Sequence, residues 1–355
     1  MDCSEALIAC GDPYHGLPLN ETANTSDSNF EVPRELLFNT DAIVSVSILG
    51  VMFLVAAVGN LTVFAILFFN RHSRLSRVSI FIMHLSISDL IITFIMIPME
   101  IGWHVTVAWK AGDVGCRVLL FFRAFGFYLG SFILVAISLD RYLSITKPLS
   151  LVDAGKRGRI MLRFSWLFAF VAAIPQSIIF HVEQHPIHTW FSQCVTFNFF
   201  PSDQHEMAYN VSTVCMMYVV PLLLITACYS LILREVSKKT SSTRTVSGGQ
   251  CRVRMSGNGR LKMAKARTNT LRMTIVIVLV FVICWSPYFC MLLVWWIDRG
   301  QAVKVPPKLQ RAIFIFAVSN SCVNPFVYGT CSHIYINGAS MSTSMKPRYS
   351  NVCLN

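Results

Sequence analysis

Charge is scarce in this chain: 14% of its 355 residues are Asp, Glu, Lys or Arg, against 54% hydrophobic. A water-soluble domain carries about 25% charged residues, so a polar surface on every side is excluded. Metal-ligand spacing is missing too. The twelve cysteines include no C-x-x-C pair and no histidine stands in an H-E-x-x-H pattern, so neither a metal site nor a cofactor is expected. No nucleophile–base set is legible, which argues against an enzyme. Without internal repeats the chain does not read as a transporter built from paired halves. Residues 1–41 lack the basic start and apolar core of a cleavable signal, so the first membrane helix is expected to act as the insertion signal.

What the chain has is apolar length. Seven stretches, near 42–69, 79–103, 114–142, 160–180, 209–233, 273–297 and 309–330, each reach the roughly 20 residues that cross about 30 Å of hydrocarbon. The reading is an all-α membrane protein, a seven-transmembrane helix bundle over residues 42–330, in the plasma membrane. The formal charge of +12 is unevenly spread. Eleven Lys or Arg lie between Arg234 and Arg272 against Glu235, whereas the first 41 residues hold eight acids and only Arg34. By the positive-inside rule the N-terminus is outside and the C-terminus cytoplasmic, with basic loops near 70–78, 141–163 and 234–272 inside. These basic loops are mainly a mark of topology, with binding of acidic lipid or a partner as the added reading, and their distribution argues against nucleic acid.

Three flanking regions emerge from that topology. Residues 1–41 form an extracellular tail with glycosylation acceptors at Asn20 and Asn24. The third cytoplasmic loop, about 234–272, is rich in Ser and Gly at its middle, while Arg234–Lys239 and Lys262–Arg272 are expected to continue helices five and six. Residues 331–355 are a short cytoplasmic tail. Cys116 and Cys194 both face the oxidising side, where a bridge would pin the second outer loop over the bundle mouth. Cys3 and Cys10 are a second candidate pair.

Charge inside a bilayer is costly, so each buried ionisable residue is a functional suspect. Asp89, mid-span in helix two, must find polar partners among Asn60, Asn320, Ser321 and Asn324; the cluster is either structural or a seat for sodium and water. Glu100 and Arg123 sit in the outer parts of helices two and three, Arg123 two turns inward of Cys116 or roughly 10 Å. They either bridge each other or hold a ligand's amides and carbonyls. Trp103, Trp285 and Tyr288 supply aromatic walls near the same mouth, a setting for a small, largely uncharged peptide. Asp140-Arg141-Tyr142 ends helix three. Pro287, in Cys284-Trp285-Ser286-Pro287, kinks helix six, and Asn324-Pro325 with Tyr328 breaks helix seven.

In this order, Asp89, Cys116, Asp140-Arg141-Tyr142, Cys284-Trp285-Ser286-Pro287 and Asn324-Pro325-Phe326-Val327-Tyr328 resemble the rhodopsin-class G-protein-coupled receptors. The segments Pro98–Trp103, Trp109–Asp113, Phe121–Gly126 and Gln193–Phe197 narrow the resemblance to the gonadotropin-releasing hormone, adipokinetic hormone and corazonin receptor group. The insect-like branch fits best, near adipokinetic hormone receptors and adipokinetic hormone/corazonin-related peptide receptors. The resemblance implies a short neuropeptide blocked at its N-terminus and amidated at its C-terminus. It also implies coupling to a q-class heterotrimeric G protein with calcium release, s-class coupling in some members, and arrestin as a further partner. The family's acid on helix two and base on helix three match Glu100 and Arg123. Asp89 and Asn324 stand in the usual arrangement, which many vertebrate gonadotropin-releasing hormone receptors exchange.

Rival readings fail on particular residues. A light receptor needs a helix-seven lysine for a Schiff base, and 312–328 has none. An amine receptor places an acid where Arg123 stands. The alternatives are a receptor for another neuropeptide and a non-signalling or poorly surface-expressed splice form, a decoy, because the tail after Tyr328 lacks the usual basic amphipathic helix.

Overall fold

The structure, a computed structural model, describes residues 38–69, 77–146, 154–185, 190–245, 257–297 and 305–329. Asn20, Asn24, Cys3, Cys10, the middle of the third basic loop and the tail from residue 330 lie outside them. Among the described residues, seven helices are long and apolar enough to cross a membrane. They are α1 (Thr40–Phe69), α2 (Arg77–Thr106), α3 (Gly112–Thr146), α4 (Ala154–Ile179), α5 (Asp203–Val214, Cys215–Val219 and Val220–Thr245), α6 (Gly257–Ile297) and α7 (Pro307–Gly329). A two-stranded antiparallel hairpin, β1 (His181–Gln184) with β2 (Ser192–Val195), joins α4 to α5 and pairs Val182 with Cys194.

α3 is the axis of the bundle, packed against α2, α4, α5 and α6. Its inward residues Leu120, Leu129 and Ile133 are fully buried. Val51, Leu54 and Val58 of α1, three and four residues apart, instead point away from the bundle and are well exposed. Such a stripe is tolerable only against lipid, where the helical backbone also satisfies its own polar groups. The seven spans lie where hydrophobic length put them. α5 and α6 run farther than a bilayer requires, through Thr245 and from Gly257, in keeping with the basic segments read as helical extensions.

Prolines explain the irregular turns. A proline at position i removes the hydrogen bond to the carbonyl at i−4 and crowds it. Pro98 and Pro221 each stand two residues after a five-residue π-helical segment, Ile92–Met96 in α2 and Cys215–Val219 in α5. The wider turn accommodates the ring without ending the helix. In α7 the break anticipated at Asn324-Pro325 falls instead at Ser319, where the helix is interrupted by a turn; the chain is helical again through Pro325. Pro325 leaves the Ser321 carbonyl without a helical donor, and Asn60 Nδ2 of α1 supplies one at 2.9 Å. Gly59 lets that contact form, since a methyl group there would lie 2.8 Å from Pro325 Cγ.

Candidate functional site

One end of the bundle is organised by a disulfide. Cys116, at the start of α3, is bonded to Cys194 in β2 with Cα atoms 5.6 Å apart. The hairpin is held at further points: Asp113 Oδ1 accepts from the Val182 amide (3.0 Å), and Gln193 Nε2 donates to the Val107 carbonyl (2.8 Å). The Trp109 amide donates to the Ser192 carbonyl (2.7 Å), and the Ser192 hydroxyl returns a bond to the Trp109 carbonyl (2.9 Å). Trp103 belongs to this scaffold. Its indole N–H donates to Gln193 Oε1 at 2.6 Å and its ring meets Trp109 edge-on at 4.7 Å.

Beneath the hairpin lies a cavity lined by Arg123, Gln176, Tyr209, Trp285, Tyr288 and Phe289 among others. Arg123 Nη1 donates to Glu100 Oε1 at 3.2 Å, and the two residues are 5% and 3% exposed. Glu100 therefore reaches the cavity through Arg123 rather than lining it directly. The π segment explains its direction. On an uninterrupted helix Asp89 and Glu100, eleven residues apart, would share a face. One residue taken up by a wide turn rotates the remainder of the helix by about 100°. Asp89 accordingly meets Asn324 of α7, whereas Glu100 meets α3. Trp285 forms the floor, edge-on to Phe127 at 4.8 Å and stacked on Phe289 at 5.6 Å. A second polar wall, not anticipated from sequence, is made by Gln176, whose Nε2 donates to the Tyr209 hydroxyl at 2.5 Å.

Midway down, Asn324 Nδ2 donates to Asp89 Oδ2 at 2.9 Å, and Ser321 is a further hydrogen-bond partner of that carboxylate. Asn60 Oδ1, Asn320 Oδ1 and Asn324 Oδ1 are buried and meet no protein donor among the described residues. The structure thus brings Ser321 and Asn324, with Asn60 bonded to the Ser321 carbonyl, together around Asp89. Nearby, Tyr218 in the α5 π segment shares a 2.6 Å hydrogen bond with Ser286, the residue before Pro287, and stacks on Phe289 at 4.3 Å. That link joins the cavity wall to the turn of α6 that carries Pro287. A tyrosine in an apolar run gave no signal for it.

At the opposite end Asp140 is an anion shared by two cations. Arg141 pairs with its Oδ2, and Arg77, the first residue of α2, donates from Nη1 to its Oδ1 at 2.8 Å. Arg77 Nη2 also reaches Ser144 Oγ at 3.3 Å. Tyr142 is next on α3 and is half-buried, while Tyr328 of α7 is buried, its hydroxyl without a partner among the described residues. Arg77 escaped the sequence reading because a basic residue at a helix end is commonplace.

Residues 59–328 match the family described as 7 transmembrane receptor (rhodopsin family). The chain is 36% identical over 320 residues to the gonadotropin-releasing hormone II receptor of Clarias gariepinus, which covers 88% of this chain and 83% of that one. It is 33% identical over 297 residues to the gonadotropin-releasing hormone II receptor of Chlorocebus aethiops, with 82% and 76% covered. The gonadotropin-releasing hormone receptor of Bos taurus is 33% identical over 263 residues, with 73% and 78% covered. With seven membrane-length helices, a match over most of that bundle and relatives that align along most of their length, this chain belongs to the rhodopsin family of seven-transmembrane, G-protein-coupled receptors, in the gonadotropin-releasing hormone receptor group.

Proposed function

We propose that the chain is the receptor for a short amidated neuropeptide of the adipokinetic hormone, corazonin and gonadotropin-releasing hormone type. The observation that carries this reading is the buried Glu100–Arg123 pair beside an aromatic cavity at the disulfide end. The guanidinium presents donors to peptide carbonyls, and Glu100 behind it fixes and neutralises that guanidinium. Trp285 and Tyr288 supply apolar walls, and Trp103 holds the rim. A ligand without free charged termini suits a site whose own charges already balance. In this reading the disulfide end and the N-terminus, with glycans on Asn20 and Asn24, face outward, and the C-terminus faces the cytoplasm.

Coupling is to a q-class G protein with calcium release, with s-class as the second route and arrestin as a later partner. Arg141 leaves Asp140 to engage the G protein when α6 pivots at Pro287, and Asn324, Pro325 and Tyr328 relay the change along α7. Asp89 with the free amide oxygens of Asn60 and Asn324 offers an all-oxygen donor set of the kind a sodium ion takes. The Asp89–Asn324 hydrogen bond supports the adipokinetic hormone and corazonin side of the group.

The test is calcium mobilisation in cells expressing the full chain, with adipokinetic hormone, corazonin, the hybrid peptide and gonadotropin-releasing hormone applied separately. A nanomolar response to one peptide supports the reading and names the ligand. Silence toward all four, with the protein counted at the cell surface, removes it.

A further inference from the structure

We propose that Arg77 is a positioning residue for G-protein coupling, the counter-ion that keeps Asp140 paired once Arg141 has left it. The two arginines occupy different oxygens of the same carboxylate, so one can go while the other stays. The Asp140 side chain is 5% exposed, and a buried carboxylate stripped of its only partner is strongly destabilised. A receptor in which Arg141 alone paired with Asp140 would therefore resist its release. Arg77 removes that resistance.

Three further observations fit this division of labour. Arg77 is fixed independently of α6: it belongs to α2, also reaches Ser144 Oγ, and Ser144 in turn donates to the Asp140 carbonyl at 2.7 Å. α2 and α3 are tied along their length by the Ser88 bond to the Gly126 carbonyl (2.8 Å) and by the Glu100–Arg123 pair, so Arg77 and Asp140 ride on one frame. Arg141, by contrast, is loosely held. Its Nε–H is buried without an acceptor among the described residues, and the sequence of 257–272 in α6 contains no acid. A guanidinium with one anchor, beside an anion with two, is the member of the cluster that moves.

The proposal rests on the reading of Arg141 as the group that reaches the G protein, and the experiment separates the two. Basal guanine-nucleotide exchange, and exchange evoked by adipokinetic hormone, are measured on membranes containing the full-length receptor, normalised to receptor amount, for Arg77→Gln, Arg77→Lys, Asp140→Asn, Asp140→Asn/Arg77→Gln and Arg141→Ala. Arg77→Gln is expected to lower exchange about fivefold, and Arg77→Lys to restore most of it. In the Asp140→Asn background no charge is stranded, so adding Arg77→Gln changes nothing. A rise in exchange with Arg77→Gln would make Arg77 a lock and overturn the proposal. So would a loss that persists in the Asp140→Asn background, since Arg77 would then act only through packing. Exchange that survives Arg141→Ala removes the underlying reading of Arg141 itself, whatever Arg77 does.

Discussion

Two buried arginine–carboxylate clusters sit at opposite ends of this bundle, and their stoichiometry differs. Glu100 and Arg123 form a closed pair, one anion with one cation, of which Arg123 lines a cavity. At the far end one anion, Asp140, serves two cations, Arg77 and Arg141. A closed pair balances its own charge, and removing either member leaves the other unsatisfied in a poorly hydrated place. The second cluster has a cation to spare. In the proposed reading, the contrast separates a site shared with an incoming molecule from one that lets a member go.

Experiments can press on that contrast, beginning with the largest expected effect. Arg123→Gln should cost the peptide response about 100-fold in potency, because it deletes the cavity's cation and strands Glu100. Calcium dose–response at matched surface level checks this, and unchanged potency would discard the cavity assignment. Adding Glu100→Gln to that variant should cost less than the sum of the single changes, as expected of a self-contained pair. Asp140→Asn should act in the opposite sense, raising basal nucleotide exchange about fivefold by releasing Arg141. A basal rate at or below the parent level would contradict that. Gly126→Ala tests whether the two ends are separable. Its methyl group would meet Ile92 Cγ1 at 2.9 Å and push on the π segment that aims Glu100. Crowding of this kind costs about 1–3 kcal/mol, so labelled-peptide affinity should fall roughly tenfold while basal exchange holds. A parallel fall in both would show that the ends are not independent. The smallest effect is expected from Tyr218→Phe, which deletes one hydrogen bond to Ser286 worth about 1 kcal/mol. It should lower maximal exchange while peptide affinity stays level; a change in affinity alone would place Tyr218 with the ligand instead.

The bundle was legible because hydrophobic length is a strong signal: Ala42 to Phe69 carries no charge and became the first helix. Asp89, Glu100 and Arg123 were legible because charge inside an apolar run has few innocent explanations. The hairpin was not. Its strands are four residues each, without an alternating pattern, and their pairing depends on a bond to α3 that lies 78 residues away in sequence. The π segments were half-visible, since Pro98 and Pro221 announce a disturbed helix but not whether it kinks or widens. Ser319 as the point of interruption in α7 was hidden because Asn324-Pro325 looked the weaker link, whereas Asn60 takes up the carbonyl that Pro325 frees. Arg77 was missed for a different reason. Its role exists only through a partner 63 residues away, and nothing local distinguishes it from an ordinary helix-terminal base.

The anchored hairpin also has a consequence for timing. Its disulfide, together with the bonds from Val182 to Asp113, from Gln193 to Val107 and between Trp109 and Ser192, immobilises the rim before any ligand arrives. The ordering entropy of that segment is met during folding, so a flexible peptide loses only its own freedom on docking. A rim that cannot fold away also narrows the range of approach orientations. Association is thereby slowed and escape slowed with it, which favours long occupancy by a peptide ligand.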